Sequence, residues 1–189
     1  MHAHHHHPGH EDVKNIKVVF FLNFFFTIIE FVGGLMTNSV AILSDAVHDL
    51  GDSFSLGLSW YFQRVSKKPS TKEYTYGYKR FSLLGAVVNS VVLLVGSVVI
   101  LMNAIPRLFH PEQPDVKGML LLAVLGVVVN GLAVLRLRKG SSINERVVSL
   151  HLLEDVLGWI TVLLGAAVMY FVDAPIIDPL LSVGISLFI

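Results

Sequence analysis

Six long apolar stretches restrict the fold of this 189-residue chain more than any other feature. Each of the first five has about 20 residues or more, which at about 1.5 Å per residue is enough to cross a hydrocarbon core of about 30 Å. The sixth has about 14 residues up to Ile189 and would reach only about 21 Å. We therefore predict an all-α integral membrane protein, a six-transmembrane-helix bundle with a truncated last helix. The predicted spans are about 16–36, 40–62, 81–105, 116–135, 147–172 and 176–189.

The composition agrees with a bilayer as the environment. Charged residues make up only 15% of the chain and hydrophobic residues 53%, whereas about 25% of the residues in an average soluble domain are charged. The lack of cysteine excludes disulfide bonds and thiolate metal ligands. Because the sequence contains no soluble domain or nucleotide-binding loop, we expect the lipid bilayer as a partner and no nucleic acid.

The basic residues predict the orientation. Of the 14 lysine and arginine residues, only Arg107 and Lys117 fall on one side of the predicted bundle, and the others flank the first span and fill the second and fourth connections. Basic residues collect in cytoplasmic segments, so we expect a multi-pass protein with a cytoplasmic amino terminus. In a bacterium its location would be the plasma (inner) membrane.

Two histidine–aspartate pairs interrupt the apolar stretches. His48 and Asp52 lie in the second stretch, His151 and Asp155 in the fifth, and in each pair a spacing of four residues places both side chains on one helix face. Ionisable groups at membrane depth cost about 3 kcal/mol each on insertion scales, so they rarely occur without a functional role or a partner. Two imidazole nitrogens and two carboxylate oxygens form a tetrahedral ligand set that zinc accepts.

The polar residues near these pairs have less specific roles. Asp45 shares the stripe of His48 and Asp52 and could orient a ligand or relay protons, although a hydrogen bond between helices explains it equally well. Asp49 and Glu154 are not assigned as ligands. Glu30, in the first stretch, is interpreted as a residue that holds helices together.

Several motifs occur in the order of a known family. The run 38–52 resembles the second-helix signature of the cation diffusion facilitator family, and 76–80 resembles the start of its third helix. His151 and Asp155 resemble its fifth-helix half-site, and Glu30 followed by 33–34 resembles its first helix.

The resemblance implies a proton-coupled exporter of divalent metal that is usually homodimeric. Carried over residue by residue, its transport site is His48, Asp52, His151 and Asp155. The histidine–aspartate set resembles the zinc-transporting branch, with Co²⁺, Cd²⁺ or another divalent metal as the alternative substrate. The family's cytoplasmic carboxyl-terminal domain is not expected here, so residues 16–189 would form the transport domain alone.

Ligand chemistry predicts how metal and protons are coupled. Zinc requires neutral imidazole and ionised carboxylate, so its binding releases protons and protonation releases the metal. An ordinary histidine titrates near pH 6.5, within reach of a physiological pH gradient. We expect Zn²⁺ as the transported substrate and protons as the counter-ion.

Residues 1–15 form a His-rich segment that we predict to be a cytoplasmic N-terminal tail. Its functional interpretation is a flexible metal collector, and its alternative is a purification tag. The candidate ligands of the tail are His2, His4, His5, His6, His7 and His10.

An intramembrane metalloenzyme and a passive channel are the alternative functions. Zinc held by histidine and aspartate can also activate water, as in an intramembrane metalloenzyme, but a complete protein shell of four ligands leaves no open position for that water. A passive channel fits poorly with tight ligands at depth, since fast permeation requires weak sites. We therefore do not expect an enzyme.

Overall fold

The computed structural model describes residues 10–66, 81–138 and 143–188. All regular structure within these ranges is α-helical, which confirms the predicted all-α class. The six helices are α1 (His10–Thr37), α2 (Val40–Ser66), α3 (Phe81–Phe109), α4 (Val116–Leu137), α5 (Ile143–Phe171) and α6 (Ile177–Phe188). The histidines 2 and 4–7 and the 76–80 motif lie outside the described residues.

Four helices contain segments that are long and apolar enough to cross a bilayer, as expected of an integral membrane protein. These segments are Val18–Thr37, Ser90–Phe109, Val116–Leu137 and Arg146–Phe171. Two helices are not among them, because α2 carries aspartates at 45, 49 and 52 and α6 has only 12 residues.

The helices extend beyond the apolar stretches that predicted them. α1 begins at His10 rather than near residue 16, and α5 begins at Ile143 rather than near residue 147. α3 continues through Pro106 to Phe109. Hydropathy marks only the apolar part of a helix, whereas its backbone hydrogen bonds can continue through polar residues.

α2 and α5, which carry the two histidine–aspartate pairs, each pack against four other helices. α4 packs most extensively on α5 and α2 on α3, while α1 contacts both α2 and α4. α6 packs mainly on α2 and α3 and less on α5. The largest buried cluster surrounds Trp159 and joins α1, α2, α4 and α5 through Phe26, Ile42 and Met119.

One end of the bundle, which we call the turn face, contains the connections 38–39, 110–115 and 172–176. Asn38 forms the tight turn between α1 and α2 with φ of 54°, a conformation that asparagine tolerates better than most residues. Arg107 at the end of α3 donates to the Asn38 carbonyl at 2.9 Å and to its Oδ1 at 2.8 Å. Glu112 completes this cluster, with a salt bridge to Arg107 of 3.0 Å and a hydrogen bond from Asn38 Nδ2.

Candidate metal centre

α2 presents four ionisable side chains within two helical turns, at 45, 48, 49 and 52. Asp45 and Asp49 are buried, whereas His48 and Asp52 are partly exposed. The spacing of four residues places His48 and Asp52 on the same face, with their closest atoms, Nε2 and Oδ2, 3.7 Å apart. That separation is a close contact but longer than a hydrogen bond.

α5 brings the second pair to the same place. His151 Nε2 lies 3.1 Å from Asp52 Oδ2, which is hydrogen-bonding distance. The imidazole rings of His48 and His151 have centroids 6.3 Å apart. One oxygen of Asp52 therefore contacts both imidazoles, and α2 and α5 meet at this point.

Asp155, one turn after His151, is buried. Within the described residues its Oδ2 has no hydrogen-bond partner. No group of three or more histidine, aspartate or glutamate side chains in the described ranges is arranged to hold an ion. The binding of one ion by all four residues thus stays a prediction.

A cavity of about 430 Å³ borders the centre between α2, α5 and α6. Asp45, His48, Glu154 and Asp155 all line it, and the α6 wall is apolar. Asp45 therefore reaches the same space as His48 and Asp155, as its helical stripe predicted. Glu154 also reaches it, although the sequence did not assign this residue a place.

Sequence reasoning gave no role to Trp159, and the structure places it next to the centre. Its indole Nε1 donates to Glu30 Oε1 at 3.2 Å, and both residues are fully buried. The Phe26 ring meets the indole edge to face with centroids 5.7 Å apart. A sequence signal existed, because residues 151, 155 and 159 recur every four positions on one face of α5. Glu30 thus joins α1 to α5, in agreement with its interpretation as a helix-packing residue.

Known proteins resemble this chain along almost its whole length. The family model described as the cation efflux transmembrane domain matches residues 16–189. The chain is 35% identical to a cadmium, cobalt and zinc/H⁺–K⁺ antiporter of Bacillus velezensis over 189 residues, which cover 98% of this chain and 60% of that protein.

Two further relatives carry related names. The metal cation efflux system protein CzcD of Cupriavidus metallidurans is 35% identical over 98% of this chain and 59% of its own length. The zinc transporter ZitB of Escherichia coli is 31% identical over 100% of this chain and 61% of its own length. The chain thus spans about three fifths of the length of the curated relatives it matches. The family match and these relatives confirm the resemblance drawn from the sequence motifs: the chain belongs to the cation efflux family, the cation diffusion facilitators.

Proposed function

We propose that the protein is a proton-coupled antiporter that exports divalent metal cations from the cytoplasm, with Zn²⁺ as its main substrate. The observation that carries this proposal is the contact of Asp52 with both His48 and His151, which joins the two histidine–aspartate pairs across α2 and α5. The names of the relatives support transport of zinc, cadmium or cobalt rather than enzymatic chemistry. Co²⁺, Cd²⁺ or another divalent metal is the alternative main substrate.

The metal ligands in this proposal are His48, Asp52, His151 and Asp155. Zinc binds nitrogen and oxygen ligands at about 2.0–2.2 Å, so the side chains must close around the ion. Asp52 already touches both imidazoles, and Asp155 has a buried oxygen without a partner among the described residues. Closure therefore requires movement that brings oxygen and nitrogen atoms of all four side chains within bonding distance of one ion.

Proton coupling follows from competition for one nitrogen. Without metal, a proton on His151 Nε2 can be donated to Asp52 Oδ2 across 3.1 Å. Zinc requires the lone pair of the same nitrogen on a neutral ring, so a doubly protonated His151 must release one proton before the metal binds. We assign Asp45 a supporting role, orienting a ligand or passing protons from the cavity that it shares with His48.

The membrane arrangement belongs to the same proposal. All six helices lie in the bilayer, with α6 reaching only part of the way across; the amino terminus is cytoplasmic because of the basic connections, and the turn face lies on the opposite side. The protein acts as a homodimer, as the family resemblance implies. The histidines of the tail collect cytoplasmic metal for the site.

Zinc flux into proteoliposomes, driven by a pH gradient across the membrane, tests the proposal. The intact protein should transport Zn²⁺ with saturation and with proton movement in the opposite direction. Asp52→Ala and Asp155→Ala should each abolish flux, whereas the matched control Asp173→Ala, at an exposed aspartate on the turn face, should retain it. Zinc uptake without any pH change would refute antiport, and full flux in both site variants would refute the ligand assignment.

A further inference from the structure

We infer that the seam between α2 and α6 is the gate of the metal centre on the turn face, and that Asp178 is the positioning residue that holds it closed. The inference rests on the proposed transport function and adds the path by which the site reaches the far side. Two hydrogen-bonded contacts between α2 and α6, and a closed pocket next to the second contact, support this inference.

The first link joins the start of α6 to the start of α2. Asp178, only 2% exposed, accepts hydrogen bonds from Ser39 Oγ at 2.6 Å, from the Val40 amide at 2.8 Å and from the Ala41 amide at 3.2 Å. The first amides of a helix have no partner within that helix, and a carboxylate at this end is also favoured by the helix dipole. A side chain of α6 therefore performs the capping of α2.

The second link lies one turn deeper on α2. Ser44 and Ser186 are buried, and their hydroxyl oxygens are 2.9 Å apart. Ser44, His48 and Asp52 are spaced four residues apart, so this hydroxyl pair and the metal centre share one face of α2. The seam leads directly from the turn face to the proposed ligands.

A narrow pocket lies between this hydroxyl pair and the centre. Ser44, His48, Ser97 and Ser186 line it from three helices, and it leaves no room for a water molecule. His48 also borders the cavity of about 430 Å³ next to Asp155. The centre is thus open toward that cavity and shut toward the seam.

The geometry favours a gate over permanent packing. The three hydrogen bonds of Asp178 converge on one carboxylate, so separation of α6 from α2 breaks them together and leaves the first amides of α2 without partners. Such a contact has two discrete states, which is the property required of an element that alternates access. Other hydrogen bonds of the turn face, such as those from Gln113 to Asp173 and from the Asp115 amide to the Thr37 carbonyl, do not involve α6.

A disulfide across the seam tests the gate. The chain has no cysteine, so Ser44→Cys with Ser186→Cys introduces the only thiols. Oxidation of the double variant should lower zinc flux at least about tenfold, because the disulfide prevents the separation of α2 from α6 that transport requires. Zinc binding should stay intact. Reduction should restore flux. Undiminished flux in the cross-linked protein would overturn the gate.

Labelling provides a second, independent measurement. Ser97→Cys places one thiol in the pocket beside His48, and an impermeant maleimide is added from the turn face. Asp178→Ala should increase its labelling rate about tenfold, because buried donors lose their acceptor and the closed state is disfavoured. The conservative Asp178→Asn, with one acceptor oxygen left, should give an intermediate rate.

Ser182→Ala is the matched control, because Ser182 lies between Asp178 and Ser186 on the same stripe of α6. It is buried, but in the described part of the chain its hydroxyl has no hydrogen-bond partner, so its loss should leave the labelling rate unchanged. An equal increase in Ser182→Ala, or none in a folded Asp178→Ala, would overturn the role of Asp178. Absence of zinc binding in the unmodified protein would instead refute the proposed function.

Discussion

Gly126 should be intolerant of even one added methyl group, and this offers a direct test of how rigidly Trp159 is held. An alanine Cβ built at Gly126 would lie within 2.6 Å of Trp159 Cγ and Cε2. Carbon atoms pack best at about 3.5–4.0 Å, so the indole would have to move by about 1 Å. Trp159 is fully buried in the cluster that joins α1, α2, α4 and α5.

The magnitude follows from what that movement breaks. Overpacking of a well-packed core costs about 1–3 kcal/mol. Displacement of the indole also removes the donor to buried Glu30 Oε1, now at 3.2 Å, and an unpaired buried acceptor costs about 1–3 kcal/mol more. Gly131→Ala on the same helix is the matched control, because no described atom from its surroundings lies within 4 Å of the new Cβ.

Both substitutions gain the same helix propensity, about 1 kcal/mol, so this term cancels in the comparison. The free energy of unfolding of Gly126→Ala should therefore be about 2–6 kcal/mol below that of Gly131→Ala. Unfolding by sodium dodecyl sulfate in mixed micelles, followed by circular dichroism, measures the difference. Zinc affinity should fall as well in Gly126→Ala, since Asp155 lies one turn before Trp159. Equal stability of the two variants would refute the close packing of the Trp159 indole against Gly126.

Three further predictions concern the site and the tail. Lowering the pH from about 7.5 to about 5.5 should weaken zinc binding in a titration, because protons compete with the ion for the imidazole nitrogens and carboxylate oxygens of the site; an affinity independent of pH would contradict this. Deletion of residues 1–10 should lower flux much more at low zinc than at saturation, and equal losses at both would contradict a collector. Trp159→Phe, which removes the donor to Glu30 and part of the buried indole volume, should lower the free energy of unfolding by at least about 1–2 kcal/mol, and an unchanged midpoint in the same detergent titration would show that this bond is dispensable.

The elements of this fold were accessible from local pattern alone. Apolar length predicted six helices, because helix formation in an apolar environment depends on backbone hydrogen bonds within each segment. The stripe of His48 and Asp52, and that of His151 and Asp155, followed from the helical period. The predicted helix boundaries were less accurate, as the start of α1 at His10 illustrates. Hydropathy does not detect helical turns made of polar residues.

The contacts between side chains of different helices could not be predicted from local sequence patterns. Nothing in the order of residues indicates that Asp52 touches His151 at 3.1 Å while Asp155 is left without a hydrogen bond among the described residues. The same holds for Trp159 and its partner Glu30, 129 residues apart. These distances depend on how helices rotate and cross, which is decided by the packing of whole surfaces and not by any local period.

The amino-acid sequence by itself thus determined the helices, the faces that carry ionisable groups and the ligand chemistry that suits zinc, because each depends on residues a few positions apart. Only the tertiary structure decided that Asp178 caps a helix far from it in sequence, and that His48 is open to one cavity and closed toward the α2–α6 seam. Contacts between distant segments arise when apolar surfaces pack together, and the polar groups carried with them must then find partners or remain unpaired.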